Sequence, residues 1–174
     1  MPESERKTLY YTVGNHMHWV DMQWLWGWDA LPSSIRDMLH MVRETGIVFC
    51  VNFDGVGYER LAAECPAALA DLREAVRAGT VEVVGASYGQ PYGLFHGPES
   101  NIRQRLFGVR AVLRHLGTRP RAFWEEEFDF CPQLPQILRR CGYEAASLFF
   151  QWTWHTPEVP MESASLILWE GVDG

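Results

Sequence analysis

Three observations predict an α/β fold built on parallel strands. Short runs of β-branched and aromatic residues alternate with segments whose apolar residues recur at helical spacing. Four of those helical segments run into a glycine, at Gly46, Gly79, Gly117 and Gly142, the residue most often found just past a helix end. The side chains able to ligate, transfer protons or stack gather after the strands rather than along the helices. Parallel strands joined by right-handed crossovers carry their sites at their C-terminal ends, whether the sheet closes into a barrel or stays open.

In chain order, the alternating run Leu9-Tyr10-Tyr11-Thr12-Val13 reads as the first strand. Ser34 and Asp37 form an Asp variant of a capping box, and Ile35, Met38, Leu39 and Val42 make the apolar stripe of a helix that ends at Gly46. Ile47 to Phe53 is a continuous apolar run, as expected of a strand buried on both faces. Asp54 to Glu64 reads as loop with one short helix. Pro66 then suits the first turn of a helix whose Leu69, Leu72 and Val76 lead to Gly79. A strand from Val81 to Gly85 is followed by a Gly/Tyr/Pro loop to Gly97, the kind of segment that carries function on a rigid scaffold. From Ser100, the spacing of Ile102, Leu106, Val109, Leu113 and Leu116 predicts a helix up to Gly117. Arg121 to Trp124 begins a strand that runs into Glu125, Glu126 and Glu127. Leu134, Ile137, Leu138 and Cys141 stripe the next helix, and Ala145 to Phe150 and Leu166 to Trp169 read as closing strands.

A chain of 174 residues, 47% of them hydrophobic, is long enough to bury a core as one domain. The net charge of −7 and the lack of a Lys/Arg cluster argue against a nucleic-acid surface and for a neutral small-molecule substrate. No apolar run reaches the roughly 20 residues of a membrane span, and the polar start from Met1 to Lys7 lacks the apolar region of an export signal. Cys50, Cys65, Cys131 and Cys141 are scattered without a Cys-x-x-Cys pair, which fits reduced thiols and a cytoplasmic location.

The densest chemistry lies near the start, where His16, His18, Asp21, Trp24 and Trp26 fall within a dozen residues. Neutral imidazoles and a carboxylate suit zinc, or another divalent metal, and indole faces suit the C–H faces of a sugar. The alternative is a strand end with surface histidines beside a tryptophan-rich patch. Glu125 to Glu127 are the second concentration, and adjacent carboxylates at the end of an apolar strand are costly unless a cation relieves them. A metal shared between His16 or His18, Asp21 and a glutamate such as Glu126 supplies that cation. Strand alternation allows either Glu126 or Glu127 to face such a site. No Gly-rich phosphate loop is visible, because Gly85-Ala86-Ser87-Tyr88-Gly89 lacks the Lys of a P-loop and the third Gly of a dinucleotide fingerprint.

With these residues in place, the chain resembles the N-terminal catalytic domain of glycoside hydrolase family 38, the α-mannosidases, from Gly14 to Gly174. The segment from His16 to Trp24 is similar to the family's His-x-His-x-Asp motif with its following Trp. Further similarity lies in Glu99-Ser100-Asn101-Ile102-Arg103-Gln104, in Trp124 to Phe128 with Leu134-Pro135-Gln136-Ile137-Leu138, and in Trp169-Glu170-Gly171-Val172-Asp173-Gly174. Three departures stand out: His18 lies three residues before Asp21 rather than two, the family's nucleophilic Asp is matched by Glu126 or Glu127, and Gln90 and Tyr92 stand where an acidic pair usually follows the third strand.

The resemblance implies a seven-stranded parallel β/α barrel of the glycoside hydrolase/deacetylase type. This chain, residues 1–174, would be the N-terminal part of a single catalytic domain that continues beyond Gly174. It implies retaining hydrolysis of a carbohydrate substrate, with Glu126 or Glu127 as nucleophile and His16, His18, Asp21 and Glu126 as candidate zinc ligands. Trp24, Trp26, Gln90, Tyr92 and Asp173 are the implied sugar-binding residues. Two other functions are weighed against it: a sugar-binding member of the family that has lost catalysis, and a metal-dependent carbohydrate deacetylase on a related barrel.

Overall fold

The computed structural model describes residues 11–124, 130–147 and 168–173, with only the backbone given for 19–22. Among the described residues, five strands and six helices follow one another as β1 (Gly14–Met17), α1 (Trp19–Trp26), α2 (Ala30–Thr45), β2 (Phe49–Phe53), α3 (Gly55–Glu64), α4 (Pro66–Arg77), β3 (Val81–Val83), α5 (Pro98–Leu116), β4 (Ala122–Trp124), α6 (Leu134–Cys141) and β5 (Ala145–Ser147). All described pairings are parallel, with β1 beside β2, β2 beside β3, and β4 beside β5. A backbone bond from Gly85 N to the Ala122 carbonyl, 3.0 Å, joins the end of β3 to β4. The ladders are thus a three-stranded part, β1-β2-β3, and a two-stranded part, β4-β5, which that bond brings edge to edge in chain order, without the reversal that marks a doubly wound sheet.

The two faces of this sheet differ. Phe49, Val51 and Phe53 of β2, with Val81 and Val83 of β3, pack under Ile35, Met38 and Leu39 of α2, Leu61 of α3, Leu69 and Leu72 of α4, and Val112 and Leu116 of α5. A second cluster joins Phe123 of β4 to Val109, Leu134, Ile137, Leu138 and Tyr143. Alternation sends Cys50 and Asn52 of β2 to the opposite face. There the Trp124 ring of β4 lies against Gly14 of β1, and the Asn52 amide reaches toward the Trp124 carbonyl at 3.5 Å. A strand touching one three places along in the sheet means that the sheet curls, as the wall of a barrel does.

Several elements differ from their sequence expectation. The first strand is Gly14–Met17 rather than Leu9 to Val13; residues 9 and 10 lie outside the described residues, and 11–13 carry no strand. Helix α2 starts at Ala30, with Pro32 in its first turn, so Ser34 is not a cap. Its hydroxyl instead accepts a bond from the Asn15 amide of β1. The stretch from Asp54 to Glu64, read as loop with one short helix, is helical from Gly55 onward as α3, capped by Asp54 Oδ1, which accepts from Gly57 N at 2.9 Å. In α5 the expected stripe holds in part: Val109 and Leu116 are buried, but Ile102, Leu106 and Leu113 are partly exposed, while Asn101, Arg105, Gly108 and Val112 face inward. Leu168 and Trp169 carry no strand; residues 166 and 167 of that expected strand, and 148–150 of the one before it, lie outside the described residues.

Candidate functional site

His16 sits on the inner face of β1 opposite Asn52, and His18 follows as the N-cap residue of α1. Extended residues two apart share a face, and the two rings lie 5.5 Å apart between centroids. The His16 Nδ1 is 3.2 Å from the Asn52 carbonyl, a contact that makes Nδ1 the protonated nitrogen and turns Nε2 the other way. Burial, reinforced by the neighbouring His18 ring, lowers the His16 pKa to about 4, so the imidazole is neutral at physiological pH. The His16 ring thus has the protonation state that a metal ligand needs.

The turn from β1 into α1 bears on the unusual spacing of the motif. Asp21 is the third residue of a helix whose N-cap is His18, and positions i and i+3 lie on one side of a first helical turn. On a continued strand, residues three apart would face opposite sides, so His18 could act beside Asp21 only if the strand turned there. The end of the strand at Met17 removes that conflict. Further along α1, Trp24 and Trp26 are exposed at 74% and 72%. Among the described residues, no group of three or more His, Cys, Asp or Glu comes together to hold a metal, so the donors found there are the two imidazoles.

The loop after β3 is tied down along its length. Ser87 and Tyr88 carbonyls accept from Gly55 N and Val56 N, the first N–H groups of α3, at 2.8 and 2.9 Å. Gln104 of α5 receives Tyr88 N on its carbonyl at 2.9 Å and Gly89 N on its side-chain oxygen at 2.8 Å. The Tyr143 hydroxyl donates to the Gly85 carbonyl at 2.5 Å. Gly85 lies beneath the Asn52 amide, and Gly108 of α5 lies against the Ala86 carbonyl; a Cβ at either place would collide. Out of this clamped base rise Gln90, half-buried, and Tyr92, exposed, whose ring is 6.4 Å from Phe95.

Glu126 and Glu127 lie outside the described residues. The strand leading to them is described: Phe123 points to the helix side and Trp124 to the inner face, against Gly14. Asp173 stands apart from the histidines. It is 3.4 Å from Arg140 in the last turn of α6, at the end of a segment whose Trp169 ring stacks on Phe130 at 5.4 Å. That places Asp173 with the helix layer. A groove of about 570 Å³ lies beside Tyr88 along the first turns of α5, lined by Glu99, Ser100, Arg103, Gln104 and Phe107.

Sequence reasoning passed over three residues that shape the site. Asn52 is 3% exposed in the middle of an apolar strand, where a lone polar residue was the available signal. Gln104 holds the β3–α5 loop by two bonds, which the motif containing it did not disclose. Arg105 is fully buried, donating to the Asn101 carbonyl at 3.1 Å and lying 5.9 Å above the Phe123 ring; it occupies a position that helical periodicity gave to solvent.

Comparison with known proteins matches residues 8–174 to the glycosyl hydrolases family 38 N-terminal domain. The chain is 27% identical over 177 residues to α-mannosidase G of Dictyostelium discoideum, covering 98% of this chain and 16% of that protein. It is 27% identical to α-mannosidase 2C1 of Mus musculus, covering 91% of this chain and 15% of the relative. The chain therefore spans about a sixth of the length of these relatives. Among solved structures, 4-alpha-glucanotransferase from Thermococcus litoralis superposes with a TM-score of 0.62 at 22% identity, over 78% of this chain and 22% of that one, a likeness of fold.

Proposed function

Starting from the fact that the chain belongs to glycosyl hydrolase family 38, we propose that it forms the N-terminal part of a catalytic β/α barrel that cleaves an α-mannoside with retention of configuration. The observation that carries this reading is the pairing of two imidazoles, His16, which burial keeps neutral, and His18, at the C-terminal end of β1, with the clamped loop bearing Gln90 and Tyr92 after β3 at the same edge of the sheet. His16, His18 and Asp21, with a carboxylate from the segment after β4, would hold a zinc ion, which when bound polarises sugar hydroxyls. The exposed indole of Trp24 offers a stacking face for the sugar, with Trp26 close by on the same helix.

The nucleophile assignment follows from spacing in the sequence. Counting back from Phe128 and Leu134-Pro135 reaches Glu126 with no gap before the following helix, which favours Glu126 over Glu127. A glutamate in place of aspartate extends the carboxylate by one methylene, which the backbone after Trp124 must accommodate for attack on the anomeric carbon. Asp173, paired with Arg140, is better suited to closing a turn against α6 than to contacting sugar.

The test is turnover of an aryl α-mannoside by a polypeptide carrying this segment together with the rest of a family catalytic domain. Glu126→Gln is expected to lower kcat by about 10³-fold or more, as loss of a nucleophile does, and Glu127→Gln by far less. Equal turnover in both variants and the parent would place the nucleophile elsewhere. Sugar binding without turnover in the parent would favour the non-catalytic sugar binder, for which Gln90 and Tyr92 in place of an acidic pair are the motive.

A further inference from the structure

Among the described residues, two other than glycine have left-handed backbones, Ala86 with φ 74° and Gln90 with φ 48°, and both belong to the β3–α5 loop. A non-glycine residue in that region is held there by its surroundings, and such residues concentrate where a site needs a side chain in one place. Packing accounts for Ala86. It is fully buried, and its carbonyl lies against Gly108 of α5, where no side chain would fit. Nothing similar accounts for Gln90, whose side chain is half-buried at the mouth of the loop.

The side chain of Gln90 adds a second observation. Its Nε2 is withdrawn from solvent and has no hydrogen-bond partner among the described residues. A buried amide N–H without an acceptor is a standing cost that a native structure seldom carries without a reason. The loop below it is fixed by the Gly85–Ala122, Ser87–Gly55, Tyr88–Val56, Tyr88–Gln104 and Gly89–Gln104 bonds, so the strain at Gln90 has no easy route of relaxation. We infer that Gln90 is a specificity-determining residue, whose carboxamide is held in a strained backbone by the clamped loop to donate to a hydroxyl oxygen of an uncharged sugar. This rests on the carbohydrate reading above. It adds that stability is given up at this position for recognition, and that a neutral donor rather than a charged group selects the hydroxyl.

The experiment compares the wild-type chain with Gln90→Gly and Ala86→Gly, reading thermal unfolding and the affinity for methyl α-mannoside by NMR titration. Gln90→Gly should raise Tm by about 2–4 °C, because glycine relieves the left-handed strain. It should also weaken mannoside binding by about tenfold, the loss of one hydrogen bond at the upper end of its usual range. Ala86→Gly relaxes the same loop without removing the amide and should leave affinity within about twofold. Unchanged affinity in Gln90→Gly, a lowered Tm in that variant, or an equal affinity loss in Ala86→Gly would each overturn the inference. If the wild type binds no mannoside while Gln90→Gly still raises Tm, the carbohydrate reading fails and the assignment to a sugar hydroxyl falls with it. Binding that survives intact in Gln90→Gly leaves the carbohydrate reading standing and removes only Gln90.

Discussion

His16 illustrates how one position joins fold and site. Its side chain lies on the inner face because β1 alternates, its ring is oriented by the Asn52 carbonyl, and burial keeps it neutral. The consequence for stability has a definite sign. A histidine whose folded pKa, about 4, is below its unfolded value of 6.5 binds fewer protons in the native state; its contribution is fully present above pH 6.5 and is lost as pH falls toward 4. The metal-free chain should therefore lose about 2 kcal/mol of stability between pH 7.5 and 5 that His16→Gln does not lose, measured by urea unfolding. An imidazole signal for His16 titrating near its ordinary pKa would contradict this account. The sequence displayed His16 and His18 plainly because their residue type is their signal. Asn52 was not legible in the same way, because its importance comes from standing over Gly85, just past the end of β3.

Among the elements, those with one dominant cause were readable and those with competing causes were not. Helix α4 begins at Pro66 and buries Leu69 and Leu72, as its spacing requires. Helix α1 escaped notice because Trp19, Val20, Met22, Trp24, Leu25 and Trp26 surround it with apolar residues and leave no stripe. In α5 the periodicity was right for Val109 and Leu116 but not for Ile102, Leu106 and Leu113, since Asn101 and Arg105 are buried in their place, Arg105 over the Phe123 ring of β4. That helix approaches the β3–α5 loop so closely that Gly108 leaves no space before the Ala86 carbonyl. Gly108→Ala should therefore destabilise the chain by about 2 kcal/mol or more, since backbone rather than a movable side chain must yield. Gly97→Ser, at the open N-cap of the same helix, should be neutral or slightly stabilising. Chemical denaturation of both variants checks the contrast, and a neutral Gly108→Ala would show that α5 and the loop are not in close contact.

For the whole molecule, strands in chain order, a curled sheet with helices packed on one face, and a polar inner edge make a consistent arrangement. The alternation of strands and helices was legible because each element carries its own pattern. The curl was not, because it depends on contacts such as Trp124 with Gly14 that join residues far apart in sequence. The central claim is that sugar chemistry belongs to the C-terminal edge of this sheet. Its most direct test is mapping of NMR shift changes when methyl α-mannoside and zinc are added to the isotope-labelled chain. The account predicts the largest changes at His16, His18, Gln90 and the Trp24 indole, with little change in α2 and α4. Changes confined to the α5 groove of Glu99, Ser100 and Arg103, or to the opposite edge near Arg119 and Arg121, would contradict it.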